Sequence, residues 1–163
     1  MPELLPDEVF YAQLPSVHLA SGALLRDQSN RCLIVNPTYR EDWLIPGGCV
    51  DEAESPFETC QREVEEEIGL SLEIGSLLSV EYVARHGPKG ESVHFIFDGG
   101  ILSPEQIDSI RLQTEEISEF RLLPLEEACE LLDPLLAVRY RAAWRALESG
   151  ICYLERGTPQ TPS

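Results

Sequence analysis

The sequence predicts an α/β fold, and three observations carry that prediction. Apolar runs rich in β-branched residues alternate along the chain with segments of helical period. Two Ser-Pro pairs, Ser55-Pro56 and Ser103-Pro104, each open a helix start with Glu58 or Gln106 three residues after the serine. The composition, with 43% apolar residues over 163, supplies a core for one domain of ordinary size. Strands alternating with helices imply a sheet covered on both faces.

Each element has a local reason. Residues 17–26 (VHLASGALLR) and 32–36 (CLIVN) form two strands around the turn Asp27 to Asn30. Trp43-Leu44-Ile45 forms a short strand that runs into Pro46-Gly47-Gly48. A helix over 56–69 is capped by Ser55, starts at Pro56 and stops at Gly69, with Phe57, Cys60, Val64 and Ile68 spaced to face the core. Residues 72–84 hold one or two strand segments, and 93–97 (VHFIF) hold another beyond the turn Gly87 to Gly90. The Ser103 box opens a short helix ending near Ile110, and 117–123 (ISEFRLL) form a strand. Two helices close the domain over 125–132 and 134–148, the second with Asp133 as N-cap and Pro134 at its first position. Leu136, Tyr140, Ala143, Trp144 and Leu147 form its apolar stripe, and Arg139, Arg141 and Arg145 are expected on its solvated face. Residues 1–155 are thus one domain without repeats or linkers, and 156–163 (RGTPQTPS) are expected to be a disordered tail.

The chemistry concentrates in the 56–69 helix. Its i, i+3 and i+4 spacing gathers Glu63, Glu66 and Glu67 within an arc of about 100° and turns Glu65 toward solvent. Like charges so placed repel, and a hard divalent ion held by oxygen ligands relieves the repulsion; Mg²⁺ is the first expectation and Mn²⁺ the alternative. The formal charge of −17 points the same way. Such a surface disfavours nucleic acid and anionic membrane as partners, and repels a polyphosphate unless metal intervenes.

From Gly48 to Leu70 the chain reads GCVDEAESPFETCQREVEEEIGL. This resembles the Nudix hydrolase signature G-x5-E-x7-R-E-U-x-E-E-x-G-U, where U is a bulky aliphatic residue, and every specified position matches. The resemblance implies an α/β/α sandwich with a mixed sheet and a metal-dependent hydrolase that cleaves the phosphoanhydride bond of a nucleoside diphosphate linked to another moiety. Nucleotide sugars, ADP-ribose and nucleoside triphosphates all fall within that class. By the same resemblance Glu63, Glu66, Glu67 and the Gly48 carbonyl are metal ligands, with Glu63 also a potential base. Glu54 and Arg62 would brace the loop against the helix, a pairing that guanidinium–carboxylate geometry favours. Members of the family often recruit a further acid from a loop outside the signature. Glu116, beside Glu115 before the 117–123 strand, is assigned that role, with Asp98 the alternative.

Substrate contacts are less clearly marked. Arg85 and Lys89 flank the only compact basic turn in the middle of the chain and are assigned to phosphate binding. Trp43, just before the glycine loop, is assigned to base stacking ahead of Tyr39, Tyr82 and Phe95; His18 and His94 are expected to be structural. The competing reading is a Nudix-fold sensor that binds a nucleotide without turnover, which the complete carboxylate set argues against. A homodimer is compatible with the family pattern. The acidic N-terminus and the lack of a long apolar run speak against a signal peptide or membrane span, and five cysteines without a C-x-x-C pair point to the cytoplasm.

Overall fold

The computed structural model describes residues 5–160. Its elements are α1 (Asp7–Ala12), β1 (His18–Asp27), β2 (Cys32–Pro37), β3 (Gly47–Cys49), α2 (Pro56–Ile68), β4 (Leu77–Val83), β5 (Ser92–Leu102), α3 (Pro104–Asp108), β6 (Ile117–Leu123), α4 (Leu125–Leu131), α5 (Pro134–Ser149), β7 (Cys152–Glu155) and β8 (Thr158–Pro159). The strands build one mixed sheet in the order β6-β2-β1-β5-β4-β7-β8, with β3 paired to β1. The β1–β5 and β4–β7 pairs are parallel, and the others antiparallel.

Both sheet faces are covered, and β1 shows why. Its successive side chains alternate, sending Ala23 and Leu25 to one layer and Leu24 to the other. The first layer takes Cys60, Val64 and Ile68 from α2, all fully buried. The second takes Leu136, Ala137, Tyr140 and Ala143 from α5, together with Ala128 and Cys129 from α4. The α5 stripe therefore packs on its own core. A strand shielded on both sides has no polar face, which accounts for the unbroken buried run from Ser21 to Leu25.

Several expectations are corrected by packing. Phe57 is half-exposed, and its ring meets Phe97 edge-on at 5.6 Å instead of entering the core. Of the expected strand Trp43 to Ile45, only Trp43 and Leu44 make isolated bridges, with Leu132 and Val35, and the strand proper begins at Gly47. Arg139 leaves the solvated face expected of it: it is buried and its Nε donates to Glu81 at 2.6 Å. Part of the tail is ordered as well. The Gly157 N–H donates to the same Glu81 at 2.6 Å, and Thr158–Pro159 pair with β7. Residues 161–163 of the expected tail lie outside the described residues. Neither α1 nor the β7–β8 hairpin has a strong local signal, and α1 buries none of its residues.

Candidate active site

The glycine loop and the start of α2 are fixed by reciprocal bonds. Ser55 Oγ accepts from the Glu58 N–H, and the Glu58 carboxylate accepts from the Ser55 N–H, closing the capping box. Ser21 on β1 donates its hydroxyl to the Pro56 carbonyl at 2.6 Å, which ties the helix start to the sheet. Gly47 is required for contact: a Cβ there would fall on the Ser21 carbonyl oxygen and Gly22 Cα. Gly48 is required for the site itself, because a Cβ there would occupy the place of the Glu63 carboxylate. The far end of α2 is held too. Gly69 caps it in the left-handed conformation at φ 71°, while the Gln113 and Arg111 N–H groups donate to the Glu67 and Ile68 carbonyls at 3.1 and 2.9 Å.

Arg62 organises the acids. Its guanidinium holds Glu54 bidentately at 2.8 and 3.0 Å and reaches Glu63 at 2.9 Å and Glu66 at 3.0 Å. Thr59, fully buried, donates its hydroxyl to Glu54 at 2.6 Å. Sequence reasoning missed Thr59; its one signal is a polar residue inside an apolar helical stripe. The Arg62 bonds, with Thr59 adding to them, hold the Glu54 carboxyl down at about 2.

Glu67 is the opposite case. It is 4% exposed, and its carboxyl accepts one hydrogen bond, from the Gly47 N–H at 3.0 Å. Burial pushes its carboxyl up to about 8; the Gly47 bond opposes the shift, and the charges of Glu63, Glu116 and Glu66 add to it. Burial also raises Glu63, which Arg62 partly offsets. One guanidinium thus faces more carboxylates than it can neutralise.

The donor chemistry of this cluster suits a hard divalent ion, since every candidate ligand is a carboxylate or carbonyl oxygen. Among the described residues no three acidic, His or Cys side chains already close on one point as a metal cage. Arg62 accounts for that, because it holds Glu63 and Glu66 on itself. The fit rests on Glu67, a buried carboxyl with a single hydrogen bond and a surplus of negative charge around it.

Glu116 joins the cluster from a loop. It acts electrostatically on both Glu63 and Glu67. The loop is pinned rather than free: the Thr38 N–H donates to the Glu116 carbonyl at 2.8 Å and the Thr38 hydroxyl to the Glu115 carbonyl at 2.9 Å. Asp98, the alternative acid, is engaged elsewhere, with Arg26 at 3.3 Å and the Gly100 N–H at 2.9 Å. Arg85 and Lys89 lie exposed on the hairpin between β4 and β5, in the turn closed by the His86–Lys89 bridge. His94 is partly buried beside Ser92, and burial lowers its imidazole to about 4. His18, expected to be structural, is exposed at the start of β1.

Trp43 is drawn away from the role assigned to it. It is 7% exposed within the α5-side core, and the Arg121 guanidinium stacks 4.6 Å from its ring centroid. Tyr39, earlier in the same loop, is instead 67% exposed.

The chain has recognisable relatives among known proteins. The chain is 32% identical over 133 residues to the 8-oxo-dGDP phosphatase NUDT18 of Danio rerio, covering 76% of this chain and 39% of that one. It is 32% identical over 121 residues to the probable DHNTP pyrophosphohydrolase of Lactococcus lactis, covering 71% and 69%. The chain therefore spans well under half of the NUDT18 relative and about two thirds of the bacterial one. Among solved structures, the MutT protein of Methanosarcina mazei superposes with a TM-score of 0.68 at 22% identity, over 83% of this chain and 99% of that one, a likeness of fold. The NUDIX domain profile matches residues 16–144, which take in the sheet through β6, the glycine loop, α2 and most of α5. With the signature helix, its glycine loop and this match in hand, the chain belongs to the NUDIX domain family.

Proposed function

We propose that this protein is a Mg²⁺-dependent hydrolase, with Mn²⁺ an alternative ion, that cleaves the phosphoanhydride bond of a nucleoside diphosphate linked to another moiety. The observation that carries this reading is Glu67: its carboxyl is buried, accepts one hydrogen bond, from the Gly47 N–H at 3.0 Å, and stands among the charges of Glu63, Glu66 and Glu116, a setting in which a cation favours the carboxylate. Glu63, Glu66 and Glu67, with the Gly48 carbonyl, would hold the ion. Bound there, it would neutralise phosphate oxygens and make phosphorus more electrophilic. The chain's own residues do the rest. Arg62 and Glu54 keep the loop in register with α2. Glu116 takes the proton from the attacking water as its oxygen bonds to phosphorus, and the anhydride P–O bond breaks with the electron pair leaving on the departing phosphate.

Arg85 and Lys89 remain the proposed phosphate contacts from the hairpin tip. The phosphatase and pyrophosphohydrolase names of the relatives support anhydride cleavage and a nucleotide-like substrate here. No helix among the described residues is long and apolar enough to cross a membrane, and all five cysteines are free thiols. These fit the cytoplasm as the working compartment.

The test is phosphate release, coupled to pyrophosphatase or phosphatase as each product requires. The panel covers canonical and oxidised nucleoside triphosphates, nucleotide sugars, ADP-ribose and dinucleoside polyphosphates, with and without Mg²⁺. Metal-dependent turnover of one class is the expected result. Silence across the panel, with Mg²⁺ and nucleotide both binding, would replace this reading by that of a sensor.

A further inference from the structure

Resting on the nucleotide reading of the site, we infer that Tyr39, and not Trp43, is the aromatic platform on which the substrate's base stacks. Three observations lead there. The first is accessibility: Tyr39 is 67% exposed, whereas Trp43 is 7% exposed with Arg121 already over its ring. An aromatic ring recognises a base through a free face, and Trp43 sits in the core with a cation over its ring.

The second is position. The residue before Tyr39, Thr38, is bonded to the Glu116 and Glu115 carbonyls at 2.8 and 2.9 Å, which puts Tyr39 on the same side of the molecule as the Glu116 loop, and its phenol feels the charges of Glu67, Glu116 and Glu63. A nucleotide whose phosphates meet those carboxylates through a metal has its base a short ribose-phosphate length away.

The third is the mount. Thr38 is bonded to the loop of Glu115 and Glu116 through both its N–H and its hydroxyl. Arg40 is bonded to Asp42 at 3.1 Å and to Asp133, the N-cap of α5, at 2.8 Å. The Trp43 N–H donates to the Leu131 carbonyl at 3.1 Å, and the Asp133 N–H donates to the Trp43 carbonyl at 3.2 Å. Tyr39 therefore stands between two fixed points. A large exposed apolar ring on a short anchored segment has little backbone freedom to lose on binding, which is what a recognition residue requires. Stacking tolerates any base, so the ring supplies affinity for nucleotides as a class.

The experiment is calorimetric binding, in Mg²⁺, of a non-hydrolysable nucleoside triphosphate analogue and of inorganic tripolyphosphate to wild type, Tyr39→Phe and Tyr39→Ala. Tyr39→Ala is expected to weaken the nucleotide about tenfold, as loss of one base–aromatic stack does, and to leave tripolyphosphate within about twofold. Tyr39→Phe, which keeps the ring, is expected to bind both as wild type does. Equal weakening of both ligands by Tyr39→Ala overturns the assignment, as does no weakening of either, or a Tyr39→Phe defect as large as that of alanine. Tripolyphosphate binding without nucleotide preference in wild type removes the base contact but keeps the phosphate site. Binding of neither ligand by wild type removes the nucleotide reading itself, and the two failures are thereby told apart.

Discussion

Two arginine–carboxylate constellations in this molecule differ in a way that separates structure from function. Arg139 and Glu81 form a closed pair, their side chains 7% and 1% exposed, with the remaining acceptor of Glu81 taken by the Gly157 N–H. Charge is balanced one to one, and the pair fastens the β7–β8 turn to α5 and β4. Arg62 is 29% exposed and meets Glu54, Glu63 and Glu66, with Asp51 at 3.7 Å and the uncharged-leaning Glu67 behind them. Charge there is short by several positive units, and the surplus faces the glycine loop. A balanced, buried pair has nothing left to bind. An unbalanced one held rigid by caps and glycines is where a cation belongs.

The sharpest way to break this contrast is Glu67→Gln. It removes the buried carboxylate of the cluster, and metal-dependent turnover is expected to fall by more than about a hundredfold, a typical cost of losing an electrostatic group at a reacting centre. Circular dichroism should show the fold intact. Turnover retained by a folded Glu67→Gln protein would sink the metal-site assignment.

Arg139→Ala probes the other side. It strands Glu81 as a buried, unpaired charge and is expected to cost about 3–5 kcal/mol of stability, read by urea unfolding. Activity per folded molecule should not change. The double replacement Glu81→Leu with Arg139→Met should recover most of the loss, because an apolar pair of similar volume leaves no charge uncompensated. A single replacement that unfolds nothing would make this pair as open as the first.

The smallest effect is a pH dependence specific to the metal-free protein. Glu67 has a folded value of about 8 against an ordinary 4.5, so the folded state holds its proton more tightly than the unfolded chain does. The associated stability is complete below about 4.5 and is lost as pH rises through about 8. His94, held down at about 4 from 6.5, works in the opposite sense below pH 6.5, so the interval from 6.5 to 8 isolates Glu67. In chelator, Tm should fall by several degrees across that interval. Saturating Mg²⁺ should reverse the fall and Glu67→Gln should flatten it. A flat chelated curve for wild type would place Glu67 in a more polar setting than the one described.

Much of the site was legible in the sequence because it is local. The capping box at Ser55, Pro56 at the first helical position, Gly69 at the stop and the one-turn spacing of Glu63, Glu66 and Glu67 are written within a single stretch of chain. Helix geometry alone converts that spacing into a shared face. The Glu54–Arg62 pairing was implied by the family resemblance, and the structure shows the contact. The two closing helices and five of the strands also follow from period and turn chemistry. The β7–β8 hairpin did not, since a four-residue strand beside a two-residue one carries almost no period to detect.

What the tertiary structure decided are the distances between residues remote in sequence. The chain alone determined a family signature, a helix presenting three carboxylates and an α/β order of elements. It did not determine that Trp43 would be walled in by Arg121, that Arg139 would turn inward to Glu81, or that Asp98 would be taken by Arg26. Nor did it determine that Thr38 would pin the loop of Glu116 beside Glu67. An aromatic or a charge has the same local pattern whether it lines a cleft or fills a core. Its environment depends on which strands and helices come to lie against it, and that choice is made by burial of the whole chain.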